Sequence, residues 1–377
     1  MDEFDKKRLD LVKALFLTNT PDPAMFSSQV VAHLPVASIK AIINRLWAEY
    51  GSFKHLSTDG EMITIHLERA EIPVQLFLDS HGAINGLRIH PEVLTSGSIE
   101  EHAGSILSLP GKSSILIKSG SKTVYNYHEA EPLSVGSAFK LCVLAAVMRA
   151  VAAERFTWEE VFLFNDQWRS IPSGILQDWP NGVPLTLMSL CCFMMSLSDN
   201  SAADALIHII GRESVESLSQ LNRPFLTTRE AFILKAHERS WAQGELSMRR
   251  LLLAEIAKHP LPSSFELGAS LAPAIGWFFT ADEICNLLLE TKDHPSVTIN
   301  PGPISKSRWK RIVFKGGQEP RVLNISLLMT DRNDNQDVII ITYNALEEFD
   351  PEAVLLRVRA IARLLEDVSD PGSVPDS

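Results

Sequence analysis

The sequence predicts an α+β protein of two domains. A small α+β domain spans residues 1–98, and a large one spans 106–366, in which strands from its two ends share one antiparallel sheet around an inserted helical segment. Residues 367–377 read as a tail. Three observations carry this. The hydrophobic period is helical up to Gly51 and becomes two thereafter. Strand-like runs cluster near residues 115–127 and 312–343, with helical patterns between them. At 377 residues, 45% apolar and 21% charged, the chain has ordinary globular composition. Its length suits two or three domains of about 150 residues.

Taking the elements in order, a helical pattern from about Asp5 to Leu17 is stopped by the turn chemistry of Thr20, Pro21 and Pro23, and two more helical stretches end near Gly51. Ile63, Ile65 and Leu67 then alternate, as do Ile72, Val74, Leu76 and Leu78, and Ile84 leads to Leu87 and Ile89. Asp59-Gly60 and Ser80-His81-Gly82 sit between such runs as hairpin turns. Helices followed by a meander imply a curled sheet with its helices on one face. In this pattern the segment resembles the cone-shaped domains of the NTF2 and ketosteroid-isomerase type, or a cystatin-like domain. No carboxylate pair or Tyr/Asp cluster in it points to catalysis.

A polar stretch from Glu100 to Pro110 leads into the large domain. Ile115 to Lys118 and Thr123 to Tyr127 read as strands joined at Gly120, and the chain turns helical from about Ser137 to Ala153. A long helical middle follows. Strands return at Ile312 to Phe314, Leu323 to Met329 and Val338 to Tyr343, and an amphipathic helix carrying Val354, Leu355, Val358, Ile361 and Leu364 closes the domain.

With 35 basic and 46 acidic residues the net charge is −11, so no global basic field collects phosphates and nucleic acid is not expected as a partner. The longest apolar runs, around Leu185 to Met195 and Val338 to Tyr343, fall short of the ~18 to 20 residues of a membrane span. The opening MDEFDKK is acidic, and the apolar stretch behind it is broken by Lys13 and lacks a small-residue cleavage site, so a cytoplasmic location is expected. Cys142, Cys191, Cys192 and Cys285 make neither a disulfide framework nor a metal or redox spacing and read as buried small hydrophobes. No metal or cofactor is expected, the partner is a small-molecule substrate, and the oligomeric state is undetermined.

Several motifs fail on inspection. Gly111-Lys112-Ser113 has the tail of a phosphate loop, but Gly104 is seven residues back and Pro110 intervenes. Asp331, Asn333 and Asn335 imitate a calcium loop, yet Gln336 and Thr342 stand where glycine and the bidentate acid belong, so this is a hairpin turn. His237-Glu238 lacks the second histidine of a zinc helix, and no serine is flanked as G-x-S-x-G.

The S-x-x-K pattern remains, in three copies. Ser119/Lys122 falls in a turn between strands and Ser307/Lys310 in a polar segment, whereas Ser137/Lys140 opens the apolar helix LCVLAAVMRAV. Residues i and i+3 share a helix face, so Lys140 can set its amine beside the Ser137 hydroxyl. A helix N-terminus helps to depress the lysine pKa and to hold an oxyanion. That suits a serine nucleophile with a lysine base. Two further elements follow in order: Ser198-Asp199-Asn200 between two apolar helical runs, and Lys315-Gly316-Gly317 interrupting the strand at Ile312 to Phe314.

Together these residues resemble the penicilloyl serine transferases, the class A β-lactamases in particular, over roughly Ser113 to Glu366, with the SLSDNSAADALI core carrying most of the likeness. The resemblance implies Ser137 as acylated nucleophile, Lys140 as its proton acceptor and Ser198 as proton relay to the leaving group. It implies Asn200 as a ligand for substrate amide or for Lys140, and Lys315 as the cation facing a substrate carboxylate. Backbone N–H groups of Ser137 and of a residue near Gly317 would form an oxyanion hole. Gly316 stands where the family carries Thr or Ser, which weakens the expected carboxylate grip.

Class A enzymes also supply a glutamate with asparagine four residues later to activate water, and no glutamate between Asn200 and Glu283 has it. Glu230 and Glu238 are the remaining candidates, although Thr227 with Glu230 reads more readily as a capping box. A small leading domain joined to a class A-like domain without that base resembles the two-domain β-lactamase-like proteins of clavulanic acid biosynthesis. The expected activity is a serine hydrolase or esterase that forms an acyl-enzyme on Ser137 with a small ester, amide or β-lactam-like substrate. Its β-lactam turnover would be weak or slow, and its role would lie in specialised metabolism. A binding or sensing protein of the same fold without turnover is the alternative, and a true class A-like β-lactamase the third reading.

Overall fold

The computed structural model describes residues 3–17, 21–237, 241, 244–263 and 275–369. The chain divides into two compact units, one of Met1–His102 with Glu352–Val368 and one that includes Ala103–Pro351.

In the first unit, α1 (Glu3–Leu17), α2 (Ser28–His33) and α3 (Val36–Tyr50) precede β1 (Phe53–Asp59), β2 (Met62–Leu67), β3 (Ala70–Leu78), β4 (Ile84–Ile89) and the short β5 (Val93–Leu94). The sheet runs β1-β2-β3-β4, antiparallel throughout, and β5 pairs with the start of β3. Period-two alternation sends Ile63, Ile65, Leu67, Ile72, Val74 and Leu76 to one face, where they join Val12, Leu15 and Phe16 of α1 and Ile39, Ile43 and Leu46 of α3 in a single core. The strand β1 has no hydrophobic period to announce it, because its FKHLSTD is nowhere fully buried. The closing helix, Glu352–Ser369, falls in this unit rather than with residues 106–366. Its Arg359 Nε donates to the Glu92 carbonyl at 2.7 Å and its Arg363 Nε to Glu71 Oε1 at 3.3 Å.

The helix α4 (Ile99–Leu107) crosses the boundary in sequence. The second unit then contains β6 (Gly111–Ser119), β7 (Lys122–Tyr127), β8 (Leu133–Ser134), α5 (Lys140–Ala152), β9 (Val161–Leu163) and β10 (Pro184–Thr186). It continues with α6 (Leu187–Ser196), α7 (Asn200–Ile210), α8 (Arg212–Glu216), α9 (Thr228–His237), α10 (Leu246–Ile256), β11 (Phe278–Phe279) and α11 (Ala281–Thr291). Three long strands finish it: β12 (Arg311–Glu319), β13 (Val322–Thr330) and β14 (Gln336–Ala345). The sheet order is β12-β13-β14-β6-β7, all antiparallel, with Ile340 of β14 opposite Leu116 of β6. The two ends of the unit therefore share one sheet around a helical insertion. Behind it, α5 is buried on every side from Leu141 to Val147, which makes it the central helix of the core.

Three further details differ from the sequence reading. Lys315-Gly316-Gly317 does not interrupt its strand, since β12 holds register with β13 from Arg311 to Glu319. The middle is not wholly helical, because β9 pairs with β10 and β8 with β11; runs of two or three residues are too short to show a period. The α-helix begins at Lys140 rather than Ser137, preceded by a 3-10 turn over Gly136–Phe139. Among the described residues no helix is long and apolar enough to cross a membrane. Nor, among them, does any group of three or more His, Cys, Asp or Glu side chains stand ready to hold a metal.

Ile340 is fully buried at the centre of the sheet, whereas Thr123 is exposed on β7, an edge strand. Ile340→Ala is expected to cost about 2–5 kcal/mol, read as a lower urea midpoint. Thr123→Ala should stay within about 0.5 kcal/mol. Equal midpoints for the two variants would contradict this placement of the core.

Candidate active site

Ser137 lies on the 3-10 turn between β8 and α5, and the turn is pinned from two sides. Ser134 donates its N–H to Asn344 Oδ1 at 3.0 Å and accepts from Asn344 Nδ2 at 2.8 Å, which ties the turn to β14. Val135 donates its N–H to the Trp277 carbonyl at 3.0 Å, and the Phe139 ring stacks on Trp277 at 3.8 Å. Side chains three apart eclipse in a 3-10 turn, so Lys140 rises beside Ser137 with Nζ 3.2 Å from Oγ.

The Ser198-Asp199-Asn200 triplet makes the sharp turn from α6 into α7, with Ser198 in the left-handed region at φ 55°. That conformation is costly for a serine and persists only where its surroundings enforce it. Asp199 does much of this: its carboxylate caps α7 by accepting from Ala202 N–H at 2.9 Å and also accepts from Ile175 and Leu176 N–H at 2.7 and 2.9 Å. Ser173 Oγ donates to the Ser198 carbonyl at 2.6 Å. Asn200 Nδ2 donates to the Ile171 carbonyl at 2.9 Å, which turns its Oδ1 toward Lys140 Nζ at 2.7 Å.

Lys315 comes from β12, the edge strand of the sheet, and its Nζ donates to Ser198 Oγ at 3.0 Å and to the Gly316 carbonyl at 2.6 Å. A Cβ on residue 317 would lie 2.0 Å from the Val135 carbonyl oxygen and 2.5 Å from the Ser137 nitrogen, so only glycine lets β12 approach the turn this closely. At Gly316 the corresponding space is taken by the Phe314 ring, whose nearest carbon would be 2.8 Å from such a Cβ.

Lys140 is 0% exposed and Lys315 3%. Burial drives the Lys140 amine well below the ordinary lysine range, helped by the like charge of Lys315 and opposed by Asp204 and Asp199. Burial alone brings Lys315 down to about 7. Proton counting then constrains the cluster. The Ser198 carbonyl at 2.5 Å and Asn200 Oδ1 at 2.7 Å can only accept, and they use two Lys140 N–H groups. A neutral amine has one lone pair left, and both remaining neighbours are hydroxyls, Ser137 Oγ and Ser198 Oγ, each at 3.2 Å. Ser198 Oγ in turn lies between the two amines. Ser137 and Ser198 are partly buried residues, whereas both amines beside them are buried.

The structure brings together Ser137, Lys140, Ser198, Asn200, Lys315, Gly316 and Gly317. Glu230 is engaged elsewhere. Arg212 holds its two oxygens at 2.6 and 2.9 Å, Thr227 N–H donates to Oε2 at 2.8 Å, and Thr227 Oγ1 accepts from Glu230 N–H at 3.2 Å, completing the capping box. Glu238 lies outside the described residues. Of the other S-x-x-K copies, Ser119 and Lys122 flank the β6–β7 turn, and Ser307 sits in the polar 3-10 turn Lys306–Arg308.

The sequence reading missed the second layer. Asp204 of α7 accepts from Thr228 N–H at 2.6 Å, Thr228 Oγ1 at 2.9 Å and Arg229 N–H at 2.9 Å, fastening the start of α9, and burial raises its carboxyl to about 7. An aspartate inside the apolar run AADALI was a usable signal, since a buried polar group needs partners. The loop of Ile171, Ser173, Ile175 and Leu176 gave none, because its contribution is mostly backbone.

Comparison with known proteins bears on the fold. Residues 104–229 match the family model described as the β-lactamase enzyme family. The chain is similar in structure to a β-lactamase from Sphaerobacter thermophilus, with a TM-score of 0.51 at 17% identity, covering 75% of this chain and 100% of that one. It is likewise similar to a class A β-lactamase representative from Bacteroides cellulosilyticus, with a TM-score of 0.51, 15% identity and coverage of 72% and 97%. A β-lactamase from Francisella tularensis gives a TM-score of 0.52 at 13% identity, covering 73% and 100%. No curated protein is significantly similar in sequence. At these identities the likeness concerns the fold, which is β-lactamase/transpeptidase-like.

Asp199 accepts three backbone N–H groups, so Asp199→Asn aims an amide N–H₂ at donors. It is expected to destabilise the protein by about 1–3 kcal/mol, seen as a lower Tm. An unchanged Tm would show that the carboxylate does not hold the turn.

Proposed function

We propose that the protein is a serine hydrolase that forms an acyl-enzyme on Ser137. One observation carries the reading: the hydroxyl of Ser137, a partly buried residue, stands 3.2 Å from a fully buried amine whose neutral form has a single lone pair to offer it. In this reading Lys140 accepts the Ser137 proton as Oγ bonds to the substrate carbonyl carbon. The carbonyl π electrons move to oxygen, and the Ser137 N–H with a second N–H near Gly317 stabilise that oxyanion. On collapse the carbonyl re-forms and the bond to the leaving alcohol or amine breaks. The proton passes from Lys140 through Ser198 to that group, while Lys315 keeps Ser198 in line. A small ester, amide or β-lactam-like substrate fits these steps, and the match of residues 104–229 to the β-lactamase family supports the substrate class. A role in specialised metabolism rests on the two-domain resemblance alone.

Hydrolysis of the acyl-enzyme is expected to be slow. Glu230, the described candidate for activating water, has both carboxylate oxygens committed to Arg212. The same observation favours a second reading, a sensor that acylates and does not turn over.

Stopped-flow mixing with an activated aryl ester distinguishes these readings. A burst of about one equivalent followed by slow turnover is expected. Ser137→Ala should remove the burst and lower the acylation rate on the order of 10⁴- to 10⁶-fold. A burst with no later turnover selects the sensor, and full activity in Ser137→Ala overturns both.

The pH dependence follows from the two amines. Acylation needs neutral Lys140, so its rate rises with pH through the Lys140 pKa. The Lys315 charge favours that neutral form, and Lys315→Met removes it. The acid limb of the variant's pH profile should therefore move to higher pH. A limb that stays in place or moves down would contradict the coupling.

A further inference from the structure

We infer that Asp204, behind the cluster on α7, is a positioning residue for acylation that acts through Lys140, as the counter-charge of the ammonium formed when Ser137 gives up its proton; this rests on the acyl-enzyme reading of Ser137. Asn200 and Asp204 stand four apart on α7 and so share a face of that helix. Asn200 Oδ1 accepts from Lys140 Nζ at 2.7 Å, and Thr228 Oγ1 lies 2.9 Å from Asp204 Oδ1 and 3.4 Å from the Asn200 carbonyl. Asn200 and Thr228 thus link the carboxyl to the amine, and all four residues are buried. In such surroundings a charge acts across an intervening residue far more strongly than it would in water.

The partners of Asp204 suit its ionised form. The Thr228 and Arg229 N–H groups reach it at 2.6 and 2.9 Å, and a backbone N–H can only donate. The Thr228 hydroxyl can turn, giving its proton to Asp204 Oδ1 or to Ser170 Oγ at 2.7 Å. Burial works against these donors and brings the carboxyl to about 7, so it is ionised above that pH. The neighbouring charges on α8 and α9 are engaged with each other or with carbonyls: Arg212 holds Glu230 at 2.6 and 2.9 Å, and the Arg229 guanidinium donates to the Arg169 and His259 carbonyls, each at 3.2 Å. On α7 itself the Asp199 carboxylate is held by three backbone N–H groups, and His208 is exposed. Burial keeps the Cys191 thiol of α6 neutral, and Asp166 and Asp178, on the 3-10 turns packed against α7, are exposed. Toward Lys140, ionised Asp204 favours the ammonium and Lys315 disfavours it. When Lys140 takes the Ser137 proton, the carboxylate stabilises the new charge and so makes the amine a stronger base.

The test is the pH profile of the burst rate with an activated aryl ester in Asp204→Asn. Two changes are expected together. The acid limb moves to lower pH, because the opposite charge is gone, and the plateau above it falls on the order of tenfold, because the amine is a weaker base. A residue that only fastened α9 would lower the plateau and leave the limb in place, and that result overturns the inference. Thr228→Val keeps the carboxyl but removes a donor that favours its ionised form, so its limb should move the same way by less. A Thr228→Val limb that stays in place or moves up overturns the inference even where Asp204→Asn does not fold. A burst that survives in Ser137→Ala overturns the acyl-enzyme reading itself, whereas a Ser137-dependent burst with an unmoved limb overturns the role of Asp204 alone.

Discussion

A lysine amine with no exposure to solvent is the constraint around which the site is organised. Taking an ammonium out of water costs several kcal/mol unless it is paired, hydrogen-bonded or neutral. Among the described residues Lys140 has no carboxylate at bonding distance; its neighbours there are two acceptor oxygens and two hydroxyls, supplied by residues 137, 198 and 200. These residues sit on two separate turns, and each turn is held by groups that touch no reacting atom. Asn344 and Trp277 fix the first, and Asp199, Ser173 and Ile171 fix the second. Much of the second unit serves to keep acceptors around one nitrogen.

The edge position of β12 follows from the same need. A second buried amine beside the first is electrostatically unfavourable, yet it lowers the affinity of Lys140 for its proton and so supports the neutral form. Lys315 can sit there because Gly317 lets the strand press against the Ser137 turn, while Phe314 fills the space over Gly316. Lys315 is 3% exposed and is bonded to Ser198 and to the Gly316 carbonyl, so its amine is buried within the cluster.

The legibility of the sequence tracks the kind of interaction involved. Ser137 and Lys140 stand out because a local pattern and an apolar helix coincide, and the sheet shared by the two ends of the second unit follows from strand runs rich in Ile, Leu and Val. Lys315 is visible as a cation next to two glycines, although the strand passes straight through them. Contacts across large sequence separations leave no periodic trace, so neither the loop that holds Asp199 nor the clasp of Asp204 on Thr228 was read. The strand β1 escaped because only Phe53 and Leu56 in it pack against the core, both partly buried and spaced by a bulge rather than by two, and the closing helix shows its stripe but not which unit it joins. Glu230 illustrates a motif with two readings, in which the capping geometry is present and Arg212 engages the carboxylate.

The central claim is that this cluster directs acylation to one serine. Tandem mass spectrometry of the whole protein, acid-quenched within the burst of an activated ester and digested, locates the adduct directly. The account predicts acyl mass on the peptide containing Ser137 alone, at a site between Gly136 and Ala138. An adduct on Ser119, Ser307 or Ser198, with Ser137 unmodified, would contradict it.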